Sequence, residues 1–410
     1  MKWIDAMSTV RRIIVPGRRV SWPGVLAWAS LSTVVACGGD ASARETGGTE
    51  AETETENSGT QSDGESELSS SAESSTSVDA DASSEDTGDS DGPGPDMMMD
   101  PVPEVLGCLE PVPPGVPVPP GRPSYPGTCP TLVPGYNTIP TLGGDREFIL
   151  VLPTEIDDTK PMPLFVMWHW LGGSADGFVE TGLIQEAADL WHFAAIVPEA
   201  DDDLIFKWPF TALDGDNRVD RELAFFDDMV DCVSQQFTIN ESCISTGGVS
   251  AGALWSAVLA NRRGVFLSSI VSLSGGVRGD TLATEALNGW GGSPHKMPFF
   301  VLWGGPGDFC VAIDFDEASR ALGEAVAQDG HFTYECIHNC THAEPPFDAP
   351  EGTTRFFPMW RFMLDHPYWL QDGDSPYLHS GEPDGMPEWC GIGYGSATIR
   401  EGMCGGSQCM

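Results

Sequence analysis

The chain has 410 residues and a formal net charge of −41, from 61 acidic and 20 basic side chains. Nucleic acid is excluded as a partner, because one polyanion would have to approach another. The length is ample for a full single core, and 11 cysteines make the compartment a question for the sequence to answer.

Arg11, Arg12, Arg18 and Arg19 precede an apolar run from Val20 to Ala36 that closes in Val34-Val35-Ala36-Cys37. The run is shorter than the ~20 residues of a membrane-spanning helix, and Pro23 interrupts it. A basic region, a short apolar region and small residues describe a secretory signal over residues 1–36. The ending resembles a bacterial lipobox, which implies cleavage before Cys37 and lipidation of its thiol. An ordinary signal followed by an incidental cysteine has the same form. The expectation is an exported chain, lipid-anchored to the membrane of the bacterial cell envelope or extracellular.

Residues 37–100 are rich in Ser, Thr, Gly, Glu and Asp, with Arg44 the only basic residue. Such a segment cannot bury enough apolar surface to offset its chain entropy, so it reads as a disordered acidic tether. An acidic metal-binding arm is the rival, but the carboxylates lack the regular spacing of a calcium loop. Residues 101–136 form a proline-rich spacer, with Pro111-Val112-Pro113-Pro114 and Pro117-Val118-Pro119-Pro120.

From residue 137 to 370 apolar runs alternate with helical patterns. Arg146–Leu152, Pro163–Trp170 and Phe193–Val197 read as strands, the second apolar enough to be buried on both faces. Phe178–Trp191 and Val219–Gln236 read as helices. Cys243–Gly247 is a short strand and Ala251–Arg262 a helix. Phe266–Leu273, Pro298–Trp303 and Phe332–Ile337 are further strands, with helices at Ala318–Gln328 and Thr353–Leu364. Alternating strands and helices indicate an α/β fold with a mainly parallel sheet and helices on both faces. Residues 371–410 form a Gly- and Cys-rich C-terminal extension.

With Cys37 set aside, the cysteines at 108, 129, 232, 243, 310, 336, 340, 390, 404 and 409 form an even set, which in an exported chain suggests disulfides. Spacing does not give connectivity. Cys232–Cys243 and Cys108–Cys129 are the local pairings. Cys310–Cys340 would be a bridge across two loops, with Cys336 an alternative partner for Cys310; the plainer reading pairs Cys336 with Cys340 as a local staple or with a cysteine of the tail. A zinc site at Cys336, Cys340, His338 and His342 is the other reading, disfavoured where thiolates oxidise.

Between the strand and the helix lies Gly248-Val249-Ser250-Ala251-Gly252, of the form G-x-S-x-G. A serine on a tight strand-to-helix turn is exposed and can attack a carbonyl. Gly248 and Gly252 stand where a Cβ would collide with the neighbouring elements. The Ala251 N–H opens a helix and points towards an oxyanion formed at Ser250. A Gly/Ser turn without chemistry has the same spelling, so the rest of the constellation matters.

An exposed serine needs a base, an orienting acid and an oxyanion site. Asp308 ends a glycine-rich loop at a strand tip, where functional groups gather, with Asp314 and Asp316 as alternatives. His342 lies in the loop after the last strand, with His338 as competitor. The second oxyanion donor belongs to the loop after His169, at Trp170 or Leu171.

These residues together resemble the secreted α/β-hydrolase esterases related to polyhydroxybutyrate depolymerases and to feruloyl or acetylxylan esterases. The resemblance rests on the Arg-containing strand ending at Pro153, the strand ending at His169, G-x-S-x-G, the Gly-rich loop with Asp308, and a late His342 near Pro345. It covers about residues 137–370 and departs at Trp170, where the family usually has Gly. It implies a serine esterase acting on carboxylic esters, of polyesters or of acyl groups on polysaccharides, with no cofactor and no metal. A catalytically silent surface binding protein and a serine peptidase of the same fold are the alternatives.

Overall fold

The computed structural model describes residues 107–201, 207–210, 215–277 and 289–404. The signal segment, Cys37, the tether and Cys409 lie outside the described residues. In chain order the strands are β1 (Gly135–Thr141), β2 (Gly144–Val151), β3 (Met162–Trp168), β4 (Ala194–Pro198), β5 (Ile239–Val249), β6 (Ile270–Leu273), β7 (Phe299–Trp303), β8 (Phe309–Cys310), β9 (Ile313–Asp314), β10 (Thr333–Ile337) and β11 (Cys390–Ile392). The helices are α1 (Ala175–Gly182), α2 (Ile184–Trp191), α3 (Asp216–Gln236), α4 (Ala251–Arg263), α5 (Phe315–Gln328), α6 (Phe357–Asp365) and α7 (Pro376–Ser380).

Nine strands form one sheet in the order β1-β2-β4-β3-β5-β6-β7-β10-β11, and β8 and β9 form a separate hairpin. The run from β4 to β10 is parallel, while β1, β2 and β11 add antiparallel edges. Every residue of β3 is buried, as an unbroken apolar run in a central parallel strand requires. Its side chains alternate between faces. Leu164, Val166 and Trp168 join the core under α3, α4 and α5; Phe165 and Met167 join the core under α1, α2 and α6. This is an α/β-hydrolase fold.

Trp168 anchors the first core. Its ring meets Trp208 at 5.0 Å and Trp255 at 5.9 Å, both edge-on. Its Nε1–H donates to Thr246 Oγ1 at 2.9 Å, and that hydroxyl donates to the Val166 carbonyl on the adjacent strand. The buried indole is thus satisfied while it fixes β3 against β5.

Some element boundaries differ from the sequence expectation. The helix expected at 178–191 is two helices, broken at Leu183, whose φ of 49° is left-handed and whose N–H caps α1 on Glu180 and Val179. The strand at 243–247 is longer, because β5 begins at Ile239. The strand expected from Phe266 begins only at Ile270, after a 3-10 turn at Gly264–Phe266. The last long helix begins at Phe357 rather than Thr353, with Pro358 in its first turn, where a missing N–H costs nothing.

The spacer and the tail are tied to the sheet. Cys108 bonds Cys243 in β5, and Cys129 bonds Cys232 in α3. The local pairings Cys108–Cys129 and Cys232–Cys243 are therefore incorrect: the same four cysteines pair long-range, because the spacer lies across the domain rather than closing on itself. Cys336 bonds Cys390, stapling β10 to its neighbour β11, and Cys340 bonds Cys404. The Cys310–Cys340 bridge is likewise incorrect, as are a Cys336–Cys340 staple and a zinc site on those thiols. Cys310 is disulfide-bonded, though to neither Cys336 nor Cys340. Such bonds belong to an oxidising compartment. Among the described residues no helix is long and apolar enough to cross a membrane.

The Cys108–Cys243 and Cys129–Cys232 bridges span 135 and 103 residues, so each restricts the unfolded chain strongly. Replacing Cys129 and Cys232 together by serine should lower unfolding free energy by about 2–5 kcal/mol. Urea denaturation monitored by tryptophan fluorescence measures it. An unchanged midpoint would show that the bridge adds nothing to the docked spacer.

Candidate active site

Ser250 sits between β5 and α4 with φ 56° and ψ −118°, a conformation few non-glycine residues adopt. Local packing imposes it. The Ser250 N–H donates to the Leu273 carbonyl at 2.9 Å, and the Ser250 carbonyl accepts from the N–H groups of Ala253 and Leu254. A Cβ on Gly248 would lie 2.4 Å from the Gly252 carbonyl carbon, and one on Gly252 would lie 2.1 Å from the Trp168 oxygen. Both glycines of the pentapeptide are therefore steric requirements of the turn.

Three candidate residues from distant parts of the chain meet there. The Ser250 hydroxyl donates to His342 Nε2 at 2.9 Å, and His342 Nδ1–H donates to Asp308 Oδ1 at 2.6 Å. All three are buried. The second carboxylate oxygen of Asp308 accepts from the Gly304 N–H at 2.7 Å and the Ser274 hydroxyl at 2.8 Å. Phe315 stacks on the His342 ring at 4.2 Å. An imidazole held in this way can take the serine proton and return it, with the carboxylate fixing its tautomer.

The competing residues have other partners. Asp314 caps α5 by accepting from the Glu317 N–H. Asp316 accepts from Trp303 Nε1 and pairs with Arg320. His338 is fully buried, and its Nδ1 accepts from the Cys340 N–H at 3.1 Å. Burial pushes its pKa down to about 4 despite the nearby Asp308 charge, so it stays neutral. His366 donates through Nδ1 to the Phe362 carbonyl and accepts from Ser375, a structural tie between α6 and the tail. His192 closes α2 with a left-handed backbone.

The loop after β3 comes close to this turn. A Cβ on Gly252 would lie 2.7 Å from the His169 carbonyl oxygen, so the loop backbone abuts the first turn of α4, where Ala251 stands. The Trp170 carbonyl accepts from Gly173 N–H at 3.0 Å and from His169 Nδ1 at 2.8 Å. Next to the turn opens a cleft lined by Trp170, Phe178, Val249, Leu273, Phe356, Trp360 and other, mostly apolar residues. Val249 and Leu273 directly precede Ser250 and Ser274. Glu344, paired with Arg355, is the one charged residue in its wall. Trp170, in the place where the resembled family has Gly, lines this cleft and packs on Phe178 at 5.9 Å.

Residues 147–288 match the family model of esterase PHB depolymerases. The probable feruloyl esterase C of Aspergillus terreus is 30% identical over 152 residues, which is 37% of this chain and 53% of that protein. Feruloyl esterase C of Emericella nidulans is 29% identical over 152 residues, with the same shares. The chain thus spans about half the length of the curated relatives it matches. The crystal structure of native sOPH superposes with a TM-score of 0.53 at 17% identity, covering 68% of this chain and 99% of that one. Native pOPH gives a TM-score of 0.51 at 16% identity, with 67% and 99% covered. At such identity the likeness speaks for the fold alone. Over its matched segment the chain is PHB depolymerase-like and feruloyl esterase-like.

Sequence reasoning missed Ser274, Phe315 and Glu199, all of which touch the site or its loop. Ser274 had a signal: it follows β6 at a strand tip beside β5, in Ser274-Gly275-Gly276. Phe315 and Glu199 had none, since only the folded arrangement places them near His342 and His169.

The relay sets an expectation for the reactivity of Ser250. His342→Ala should slow its labelling by a fluorophosphonate probe by about 10³-fold or more, and Asp308→Asn somewhat less. His338→Ala should leave the labelling rate within about threefold, because that ring is occupied elsewhere. Labelling rates followed by intact-protein mass read all three. A His338→Ala protein that folds but does not label would contradict the relay.

Proposed function

We propose that the protein is a serine esterase that hydrolyses carboxylic esters through an acyl-enzyme. The observation that carries this reading is the unbroken hydrogen-bond chain from Asp308 through His342 to Ser250 at the edge of an apolar cleft. Ser250 is the nucleophile. His342 accepts its proton as the hydroxyl attacks the ester carbonyl, and then delivers that proton to the leaving alcohol. Water, activated by the same imidazole, releases the acid. Asp308 keeps Nδ1 protonated and steadies the imidazolium. The Ala251 N–H and an N–H of the Trp170–Leu171 segment receive the oxyanion. The similarity to the esterase PHB depolymerase model and to feruloyl esterases supports an ester as substrate. The acyl group enters the cleft beside Trp170, whose side chain narrows it. The ester is that of a polyester or of an acyl-bearing polysaccharide.

The assembled relay favours an enzyme over a silent binding protein. The proposed architecture is a signal over 1–36, a lipid anchor at Cys37, a tether over 37–100, a spacer over 101–136 and a hydrolase domain over 137–370 with its extension over 371–410. The tether would hold the catalytic domain off a membrane surface.

Ser250→Ala should reduce hydrolysis of p-nitrophenyl acetate by about 10⁴-fold or more, as loss of a triad nucleophile does. Steady-state rates on purified wild type and variant decide it, and near-normal turnover by the variant would remove this mechanism. Anchoring is tested separately. Cys37→Ser should release the protein from membranes into the soluble fraction, since acyl chains at Cys37 would be its attachment. A variant that still sediments with membranes in high salt would argue against a lipid at that cysteine.

A further inference from the structure

His169 is wholly buried just beyond β3, yet it takes no part in the Ser250–His342–Asp308 chain. Its Nδ1 lies 2.8 Å from the Trp170 carbonyl oxygen. A carbonyl has no hydrogen to give, so the ring nitrogen must be the donor. Its Nε2 faces Glu199 Oε1 at 3.6 Å and has no hydrogen-bond partner. Glu199 is itself fixed. Its other carboxylate oxygen accepts from the Ala175 N–H at the start of α1, at 2.8 Å. Its backbone N–H donates to the Glu147 carbonyl, and its backbone carbonyl accepts from Arg146. Burial alone would raise the Glu199 pKa, but its contacts with His169 and the Ala175 N–H outweigh it and hold the group ionised.

The geometry has a consequence for the neighbouring peptide. Two donors, His169 Nδ1–H and the Gly173 N–H, grip the Trp170 carbonyl. No peptide bond among the described residues is cis, so the Leu171 N–H points the opposite way from that carbonyl, away from His169. The His169 carbonyl is tied in turn by Trp208 Nε1–H at 2.8 Å and lies against the first turn of α4. A peptide whose carbonyl is hydrogen-bonded to a charged or polarised donor also has a more strongly donating N–H.

We infer that His169 and Glu199 are a positioning pair for the oxyanion side of the site, which fixes the Trp170–Leu171 peptide so that the Leu171 N–H is the second oxyanion donor. This rests on the esterase reading of Ser250. Neither side chain touches substrate. The carboxylate packs at the far edge of the imidazole, the imidazole orients the peptide, and the peptide meets the charge that develops on the carbonyl oxygen. The pair stabilises the transition state and leaves ground-state binding in the cleft alone.

The test uses the full chain with p-nitrophenyl acetate and benzeneboronic acid, which forms a tetrahedral adduct on the serine. His169→Ala should lower kcat by about 10- to 100-fold, as partial loss of an oxyanion donor does, with KM changed less than about threefold. Boronic acid affinity should fall in parallel with kcat. His169→Asn, whose amide nitrogen can stand in for Nδ1, should recover most of the loss. Should His169→Ala fail to fold, Glu199→Ala decides, since that side chain is a quarter exposed. It should lower kcat and boronic acid affinity together by about fivefold or more at unchanged KM. A folded Glu199→Ala or His169→Ala protein with kcat and boronic acid affinity within twofold of wild type overturns the inference alone. A wild type inert towards the ester and unlabelled by a fluorophosphonate overturns the esterase reading, and this inference with it.

Discussion

The Thr341 carbonyl lies so close to Gly304 that a Cβ at that glycine would stand 1.8 Å from its oxygen. This contact joins the loop that carries Asp308 to the loop that carries His342. The Thr341 N–H donates to the Gly304 carbonyl at 3.2 Å, and Thr341 itself is held at φ 59°. The Gly304 N–H then donates to Asp308. One backbone contact thus sets both the spacing of Asp308 and His342 and the hydrogen bonding of the carboxylate. A second contact of the same kind, Gly252 against Trp168 and His169, sets the distance between the serine turn and the loop after β3. The side-chain chemistry of the site follows from these two approaches of bare backbone.

The periphery of the domain serves the same loops. Cys336 and Cys340 flank the path to His342, and their partners Cys390 and Cys404 lie in the C-terminal segment. That segment also adds β11 to the sheet, donates from the Arg400 N–H to the Ile337 carbonyl at the end of β10, and accepts at the Gly402 carbonyl from the Asn339 side chain. At the other end, the proline-rich stretch is bonded to β5 and α3 by two long-range disulfides. Both flanks are therefore parts of the packed structure as far as the described residues reach.

Much of this was legible in the residues, for physical reasons. Buried parallel strands such as β3 and β7 must be unbroken apolar runs, and their residues display it. The turn at Ser250 needs two glycines, and the pentapeptide displays them. What was not legible depends on distance in space. The four cysteines of the spacer, α3 and β5 were identified, but their pairing reflects where the spacer lies, which no local pattern encodes. The break at Leu183 interrupts a sequence whose apolar spacing is continuous, so it is set by backbone capping rather than by periodicity. β1 contains Pro140 and exposed positions, as an edge strand can, and β11 is three residues long. His342 and His338 could be ranked by loop position only. The ground for separating them, a ring nitrogen already engaged by the Cys340 N–H, exists only in three dimensions.

The central claim is that Ser250 carries the acyl group during turnover. Mixing the protein with a slowly hydrolysed aryl ester, quenching in acid within the first turnover and mapping peptides by mass spectrometry tests it most directly. The account expects one acyl group per chain, on the peptide that contains Ser250, together with a stoichiometric burst of phenol. Turnover with no acylated peptide, or acylation at another residue, would contradict it.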